Sequence, residues 1–169
     1  LDTAPPVLAL LDMPAALLMS QAEQTQPVPS SVAPKEDGAL KFHLAPGLHL
    51  YLDGIRDPGN MGTMLRVADW FGHAQLFLSD DCVDPYNSKT IQASMGAFLH
   101  VRPQLACLHE LKAAHPELSI MGTRIDGGED GLGYHWQRDT LLVIGSESHG
   151  IRDTQQAAVD GWLSIPRGI

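Results

Sequence analysis

Two stretches of the chain place polar side chains directly after apolar segments that are typical of strands. The first, residues 53–66, follows the apolar run Leu48–Leu52 and carries Asn60 and Arg66. Its proline and glycines favour a tight turn onto the N-terminus of a helix, where free N–H groups can hold an anion. This stretch therefore predicts a site at which an amide and a guanidinium act on an anionic group. A plain strand-to-helix turn is the alternative.

The second stretch, residues 145–150, follows the apolar run Thr140–Ile144 and contains Ser146, Glu147 and His149. Ligands of open α/β sheets bind beyond the carboxyl ends of the strands, where both stretches lie. Neither stretch has the GxGxxG or GxxxxGK[ST] pattern, which argues against nicotinamide and nucleoside-triphosphate sites. The GxSxG elbow is also absent, which argues against a serine hydrolase.

The elements that must position these loops alternate between strands and helices. Strands are predicted at residues 48–52, 75–79, 98–101, 118–122, 140–144 and 162–165. Helices are predicted at residues 63–71, 87–94, 107–114 and 151–159. Alternation of this kind indicates βαβ units, and hence an α/β fold with a mostly parallel sheet and flanking helices. The run Thr140–Ile144 is the most apolar, so we expect it at the centre of the sheet.

Residues 1–47 differ in composition from the rest of the chain. The segment from Gln21 to Gly38 is rich in Gln, Pro and Ser, which is typical of a linker. We therefore expect residues 1–47 to be an N-terminal extension or linker that follows a missing upstream domain. Residues 48–169 would form the folded domain.

Composition restricts the classes of partner. The chain carries 11 Lys and Arg against 20 Asp and Glu, a net charge of −9, which argues against nucleic acid in general. A local cluster of arginines can nevertheless bind phosphate, and Arg outnumbers Lys here. No apolar run is long enough to predict a membrane span. The two cysteines are too few for a disulfide scaffold and fit a cytoplasmic protein, and no metal-ligand spacing is evident.

The motifs themselves resemble a known family. Residues 57–66 and 144–151 resemble the first and second motifs of the SpoU (TrmH-like) family, which are RNA ribose 2′-O-methyltransferases of the SPOUT superfamily. Ser94–Ala97 resembles the segment before the family's third strand, and Trp162–Pro166 resembles the opening of its third motif. The match runs from Leu48 to Ile169.

This resemblance implies a SPOUT-type sheet with a C-terminal trefoil knot that holds S-adenosyl-L-methionine. It implies a cytoplasmic homodimer that methylates a ribose 2′-hydroxyl of tRNA or rRNA. The family's third motif continues beyond the last residue here, so we expect an incomplete knot and a segment that is inactive by itself. Two alternatives stay open: a non-catalytic RNA-binding or dimerisation module with a SPOUT fold, and a SPOUT enzyme that methylates a base.

The resemblance also implies roles for individual residues. Arg66 would orient the ribose hydroxyl and stabilise its alkoxide, although a surface pairing with Asp69 is an alternative. Asn60 would cap the helix and face the site, and Glu147 would shape the site by bonding to backbone or to the Asn60 region. The residues expected to hold the cofactor are Thr123, Gly145, Ser146, Glu147, Ile165 and Arg167. The residues expected to contact RNA are Arg56, Arg66, Arg124 and Arg152.

Overall fold

The structure is a computed structural model that describes residues 44, 46–72, 75–137 and 139–166. Nearly all of the predicted extension 1–47, and residue Arg167, lie outside the described residues. Within the described part, seven strands form one parallel sheet in the order β3-β2-β1-β6-β4-β7-β5. The strands are β1 Leu48–Asp53, β2 Leu76–Leu78, β3 Gln104–Leu105, β4 Ser119–Thr123, β5 Glu129–Asp130, β6 Thr140–Gly145 and β7 Gly161–Ser164. The predicted α/β fold with a parallel sheet is confirmed.

Short helices join the strands and cover the two faces of the sheet. The helices are α1 Pro58–Phe71, α2 Ser88–Ser94, α3 Leu108–Ala114 and α4 Asp153–Gln156, with a 3-10 turn at Ala97–Leu99. Strand β6 lies between β1 and β4, in the middle of the sheet as predicted. A strand at that position has both faces covered and gains most from an apolar sequence.

Alternation along β1 divides the core into two layers. Tyr51 points to the face covered by α3, where it packs with Leu108 and Leu111. Leu50 and Leu52 point to the opposite face, which is covered by α1. Since side chains on a strand alternate between faces, one strand anchors both layers.

Helix α1 begins at Pro58, five residues before the predicted start at Thr63. Asp57 is its N-cap: the Asp57 carboxylate accepts a hydrogen bond from the backbone N–H of Asn60 at 2.8 Å. Proline is favoured at the first helical position because the missing N–H has no partner there. The prediction that Asn60 caps the helix is therefore wrong, since Asn60 lies inside the first turn.

Gly62 does not form part of a tight turn, as the sequence predicted, because it lies inside α1. It lets α1 and α2 approach each other closely. A Cβ at Gly62 would lie 2.5 Å from Cβ of Ala93 and 2.8 Å from the backbone N of Ser94 in α2. Only hydrogen fits in that space. The N-terminal half of α1 is thus held against α2.

Two other predicted elements differ in the structure. The segment predicted as a strand at 98–101 is mainly the 3-10 turn, and the strand beside β2 is β3, which follows Pro103. Gly96 enters that turn with a left-handed φ of 95°, which interrupts an extended path. The helix predicted at 151–159 is reduced to the single turn α4. The glycine-rich, acidic stretch 127–133, for which no strand is predicted, contains the edge strand β5.

None of the helices in the described ranges is long and apolar enough to cross a membrane.

Replacing Gly62 by alanine tests the close packing of α1 on α2. Alanine favours a helix more than glycine by about 1 kcal/mol, yet its methyl group would overlap Ala93. We expect Gly62→Ala to lower the free energy of unfolding by about 1 to 3 kcal/mol, measured by urea denaturation. Val67→Ala on the exposed side of α1 is the control and should change it by less than about 1 kcal/mol. An unchanged or raised stability of Gly62→Ala would contradict the packing argument.

Candidate active site

A cleft of about 880 Å³ opens at the carboxyl ends of β4, β6 and β7. Its polar and charged walls come from the last residues of these strands and from the segments that follow them: Thr123, Arg124, Asp126, Ser146, Glu147, Ser148, His149, Gln156 and Ser164. Its apolar walls are Ile125, Leu132, Trp136, Leu142, Ile151, Trp162, Leu163 and Ile165, with Gly131, Gly145 and Gly150 between them. A cleft of this size, mostly apolar with a few polar groups, is typical of a small-molecule site.

The position of the cleft follows from the parallel sheet. The hydroxyl of Thr123 at the end of β4 donates to the carbonyl of Val143 in β6 at 3.0 Å. The backbone N–H of Arg124 donates to the carbonyl of Leu163 in β7 at 2.9 Å. These bonds hold the three strand ends together where they enter their loops.

The loop after β6 folds back on itself and leaves no room for a side chain at Gly145. The backbones of Ser146 and Gly150 exchange two hydrogen bonds, at 3.0 and 2.8 Å. A Cβ at Gly145 would lie 2.1 Å from the carbonyl carbon of Gly150. Gly150 itself has a φ of 68°, a left-handed conformation that suits glycine. The loop therefore brings bare backbone to the wall of the cleft.

Five of the six residues predicted to hold a cofactor lie on this one cleft. Thr123, Gly145, Ser146, Glu147 and Ile165 all line it. The sixth, Arg167, lies outside the described residues. The structure thus brings together three strand ends, of which the first and the last, at Thr123 and Ile165, are 42 positions apart in the sequence.

A hydrogen bond connects Glu147, which lines the cleft, to the first turn of α1. The side-chain amide of Asn60 donates to a carboxylate oxygen of Glu147 at 3.3 Å. This is the contact expected of Glu147 with the Asn60 region. It connects the two polar stretches of the sequence at one point.

Arg66 is exposed and lies outside the lining of the cleft. It comes six residues after Asn60 on α1, about 9 Å further along the helix axis. Asp69 contacts His100, at 3.2 Å, so the pairing of Arg66 with Asp69 is not observed. Among the described residues, none forms an ion pair with Arg66. Its guanidinium is therefore available to a partner from outside.

Arg152 is fixed by carboxylates. Its Nε donates to Asp53 at 2.8 Å, and its backbone N–H donates to the other Asp53 oxygen at 2.8 Å. Asp53 is fully buried at the end of β1. The guanidinium also lies 3.2 Å from Asp81 and 3.6 Å from Asp80. The hydrogen bond to Asp53 raises the pKa of Arg152 above its ordinary value.

Asp81 links this cluster to Arg56. Burial alone would raise the pKa of Asp81, but the hydrogen bond from Ser79 and the charge of Arg152 outweigh it, so the pKa is lowered. Arg56 lies 3.4 Å from Asp81 with 79% of its side chain exposed. Of the four predicted RNA contacts, Arg152 is thus the most constrained.

Arg124 takes a different position. Its guanidinium lies over the ring of Trp162, 5.1 Å from the ring centroid, on the wall of the cleft.

The sequence analysis did not assign a role to Trp162, or to the exposed apolar side chains of the cleft, Ile125, Leu132 and Trp136. It also missed Asp53, although a carboxylate at the end of an apolar strand is a signal that could have been used. In the described ranges, no cluster of His, Cys, Asp or Glu could hold a metal ion.

Comparison with known proteins identifies related sequences and folds. The profile of the SpoU rRNA Methylase family matches residues 47–168. A 23S rRNA guanosine 2′-O-methyltransferase of Bacillus subtilis, RlmP, is 31% identical over 69% of this chain and 48% of its own length. A 23S rRNA guanosine 2′-O-methyltransferase of Nitrosomonas europaea, RlmB, is 33% identical over 72% of this chain and 48% of its own.

The crystal structure of the SpoU methyltransferase AviRb from Streptomyces viridochromogenes, solved with AdoMet, aligns with a TM-score of 0.65. It is 26% identical and covers 73% of this chain and 52% of the AviRb chain. The chain spans about half the length of the curated relatives it matches.

Substitution of Arg152 tests the buried ion pair, and the exposed Arg56 provides a matched control. Arg152→Ala leaves the Asp53 carboxylate buried without its partner, so the free energy of unfolding should fall by about 2 to 3 kcal/mol after allowance for the partial exposure of Arg152. Arg56→Ala should lower the free energy of unfolding by less than about 1 kcal/mol. Urea denaturation of both variants measures the difference. Equal effects would show that the Asp53 contact is no more important than a surface pair.

Proposed function

The chain belongs to the SpoU rRNA methylase family, and we propose that it is the S-adenosyl-L-methionine-binding part of an RNA ribose 2′-O-methyltransferase. The observation that carries the proposal is the hydrogen bond between Asn60 and Glu147. It joins a cleft suited to a small ligand to the helix that carries a free arginine. Methyl transfer needs both a cofactor site and a group that acts on the accepting hydroxyl, and this bond connects the cleft to the helix that carries Arg66.

The residues of the cleft fit the proposed cofactor. Gly150 lines the cleft and has open space where a Cβ would lie, so a ligand can approach its backbone closely, whereas the missing side chain of Gly145 lets the loop close on itself. Thr123 and Ser146 lie between apolar walls that suit an adenine ring and the methylene groups beside the sulfonium. The AdoMet-bound structure of AviRb, which shares the fold, supports this assignment. When bound, S-adenosyl-L-methionine supplies an electrophilic methyl group.

Arg66 acts on the accepting ribose. We assign it to orient the 2′-hydroxyl and to donate hydrogen bonds to the oxygen as negative charge develops there. The hydroxyl proton passes to a phosphate oxygen of the RNA. A guanidinium without a carboxylate partner in the described part of the chain has its N–H donors free for this purpose. Asn60 and Glu147 hold the N-terminus of α1 in place relative to the cleft.

RNA phosphates would be bound by the exposed guanidinium groups of Arg56 and Arg66. Arg152 is less suited to that role, because Asp53, Asp80 and Asp81 already surround its guanidinium and would repel phosphate. The net charge of −9 means that the basic surface is local. The homologous rRNA enzymes support RNA as the substrate class, and tRNA or rRNA is our proposal.

The whole protein is proposed to be a cytoplasmic homodimer with the knotted cofactor site implied by the family. Exposed apolar side chains at the C-terminal end of α1 support a dimer: Trp70 is 84% exposed and Phe71 73% exposed. Met95 and Leu99, on the segment that packs beside α1, are also exposed. Such a patch is typical of a protein interface.

Ribose methylation is tested by incubating RNA with the protein and labelled S-adenosyl-L-methionine. Digestion of the product to nucleosides should yield the label in 2′-O-methylated nucleosides by mass spectrometry. Label on a base would instead support a base methyltransferase. Cofactor binding without transfer by the whole parent protein would support a non-catalytic module.

Arg66→Ala should lower the rate of methyl transfer by about 100-fold or more, because it removes the donor to the developing oxyanion. Its dissociation constant for S-adenosyl-L-methionine should stay within about twofold of the unsubstituted protein, since Arg66 does not line the cleft. Single-turnover kinetics and calorimetry measure the two quantities. Arg66→Lys is the matched control for charge, and near-normal turnover of Arg66→Ala would refute the role.

The dimer proposal predicts that Trp70→Glu shifts the protein towards the monomer. A carboxylate in a buried apolar interface costs more than the contact it replaces. Light scattering after size-exclusion chromatography gives the mass of the two proteins at equal concentration. Thr63→Glu, at another exposed position of α1, should leave the mass unchanged. A monomeric unsubstituted protein would contradict the proposal.

A further inference from the structure

The part of the cleft wall that the described residues form carries one arginine and no lysine. Of the described residues that line it, Arg124 is the only Arg or Lys. Asp126, two residues further on, and Glu147 across the cleft are carboxylates on the same walls. The cleft therefore offers a positive and a negative group separated by only one residue of chain.

The guanidinium of Arg124 is positioned by an aromatic ring and is not neutralised. It lies over Trp162, 5.1 Å from the ring centroid. No ion pair within the described ranges involves Arg124. Stacking on a ring restricts the side chain but leaves its N–H donors free to bind an anion.

The backbone around this pair is rigid. The N–H of Arg124 continues the pairing of β4 with β7 through the carbonyl of Leu163 at 2.9 Å. The ring of Trp162 packs on Gly122, where a Cβ would lie 2.8 Å from a ring carbon. The glycine at that position lets the ring pack directly against β4. The cation is thus held at a fixed place on the cleft wall.

We propose that Arg124 binds the carboxylate of the aminoacyl end of S-adenosyl-L-methionine, and not RNA phosphate. This rests on the proposed function. A carboxylate taken from water into a partly apolar cleft needs a charged hydrogen-bonding partner, and among the described lining residues Arg124 supplies a guanidinium. Asp126, close by in sequence, suits the neighbouring ammonium group. The opposite charges match a zwitterion better than a polyanion, whose phosphates Asp126 and Glu147 would repel.

The assignment makes Arg124 a residue that selects ligands by their carboxylate. A ligand that keeps the sulfonium but lacks the carboxylate gains nothing from Arg124 and is repelled by its charge. The test therefore compares S-adenosyl-L-methionine with decarboxylated S-adenosylmethionine, because the two differ only in that group. Calorimetry on the full chain measures both dissociation constants.

Arg124→Met removes the charge but keeps an unbranched chain that can pack on Trp162. We expect it to weaken binding of S-adenosyl-L-methionine by about 10-fold. Binding of the decarboxylated ligand should be unchanged or tighter. Arg124→Lys keeps the charge, so its affinity for S-adenosyl-L-methionine should lie between those of Arg124→Met and the unsubstituted chain. Arg102→Met, at an exposed arginine that does not line the cleft, should change neither affinity.

If Arg124→Met weakened the binding of both ligands equally, the proposal would be overturned, because Arg124 would then act through packing and not through its charge. Unchanged affinity for both ligands would overturn it as well. Failure of the unsubstituted chain to bind either ligand would overturn both this proposal and the cofactor assignment on which it rests. The first two outcomes would leave the cofactor assignment intact.

Discussion

The ion pair between Asp53 and Arg152 connects the parts of the molecule on which the site depends. Asp53 ends β1 and is fully buried, while Arg152 follows the loop after β6, 99 residues later. One carboxylate accepts both a guanidinium and a backbone N–H from the same residue. Burial makes such a contact costly to break, because an unpaired carboxylate would stay in the interior. The contact fixes where the β6 loop returns to the sheet, and so determines one wall of the cleft.

The rest of the site follows from strand order. Strands β1 and β6 are neighbours, and β6 is followed by β4 and β7 across the sheet. Because these strands are parallel, the loops that follow β4, β6 and β7 all lie at the carboxyl ends of the strands, where they enclose the cleft. The loop after β1 continues into α1, whose first turn contacts Glu147. The loop after β6 thus lines the proposed cofactor site, and helix α1, which carries the proposed catalytic Arg66, follows the neighbouring strand β1.

Much of this arrangement could be predicted, for reasons that differ between residues. The central position of β6 was predicted because a strand covered on both faces needs a continuous apolar sequence. Thr123, Gly145 and Ile165 were placed on one cleft by resemblance to a family, since nothing in their spacing brings them together. The start of α1 was missed because Pro58 and Gly62 are breakers inside a helix, whereas here one begins the helix and the other admits α2. The partner of Arg152 could not be predicted, because it depends on a contact between residues distant in sequence.

The two outermost strands have a consequence for the behaviour of the protein at high concentration. Strands β3 and β5 contain only two residues each, and β5 consists of Glu129 and Asp130. An exposed strand edge offers unpaired backbone groups to a second chain, and its hazard grows with length and with apolar character. Here one edge strand directly follows Pro103 and the other carries two carboxylates. The sheet can thus end on both sides without offering a template on which neighbouring molecules could polymerise.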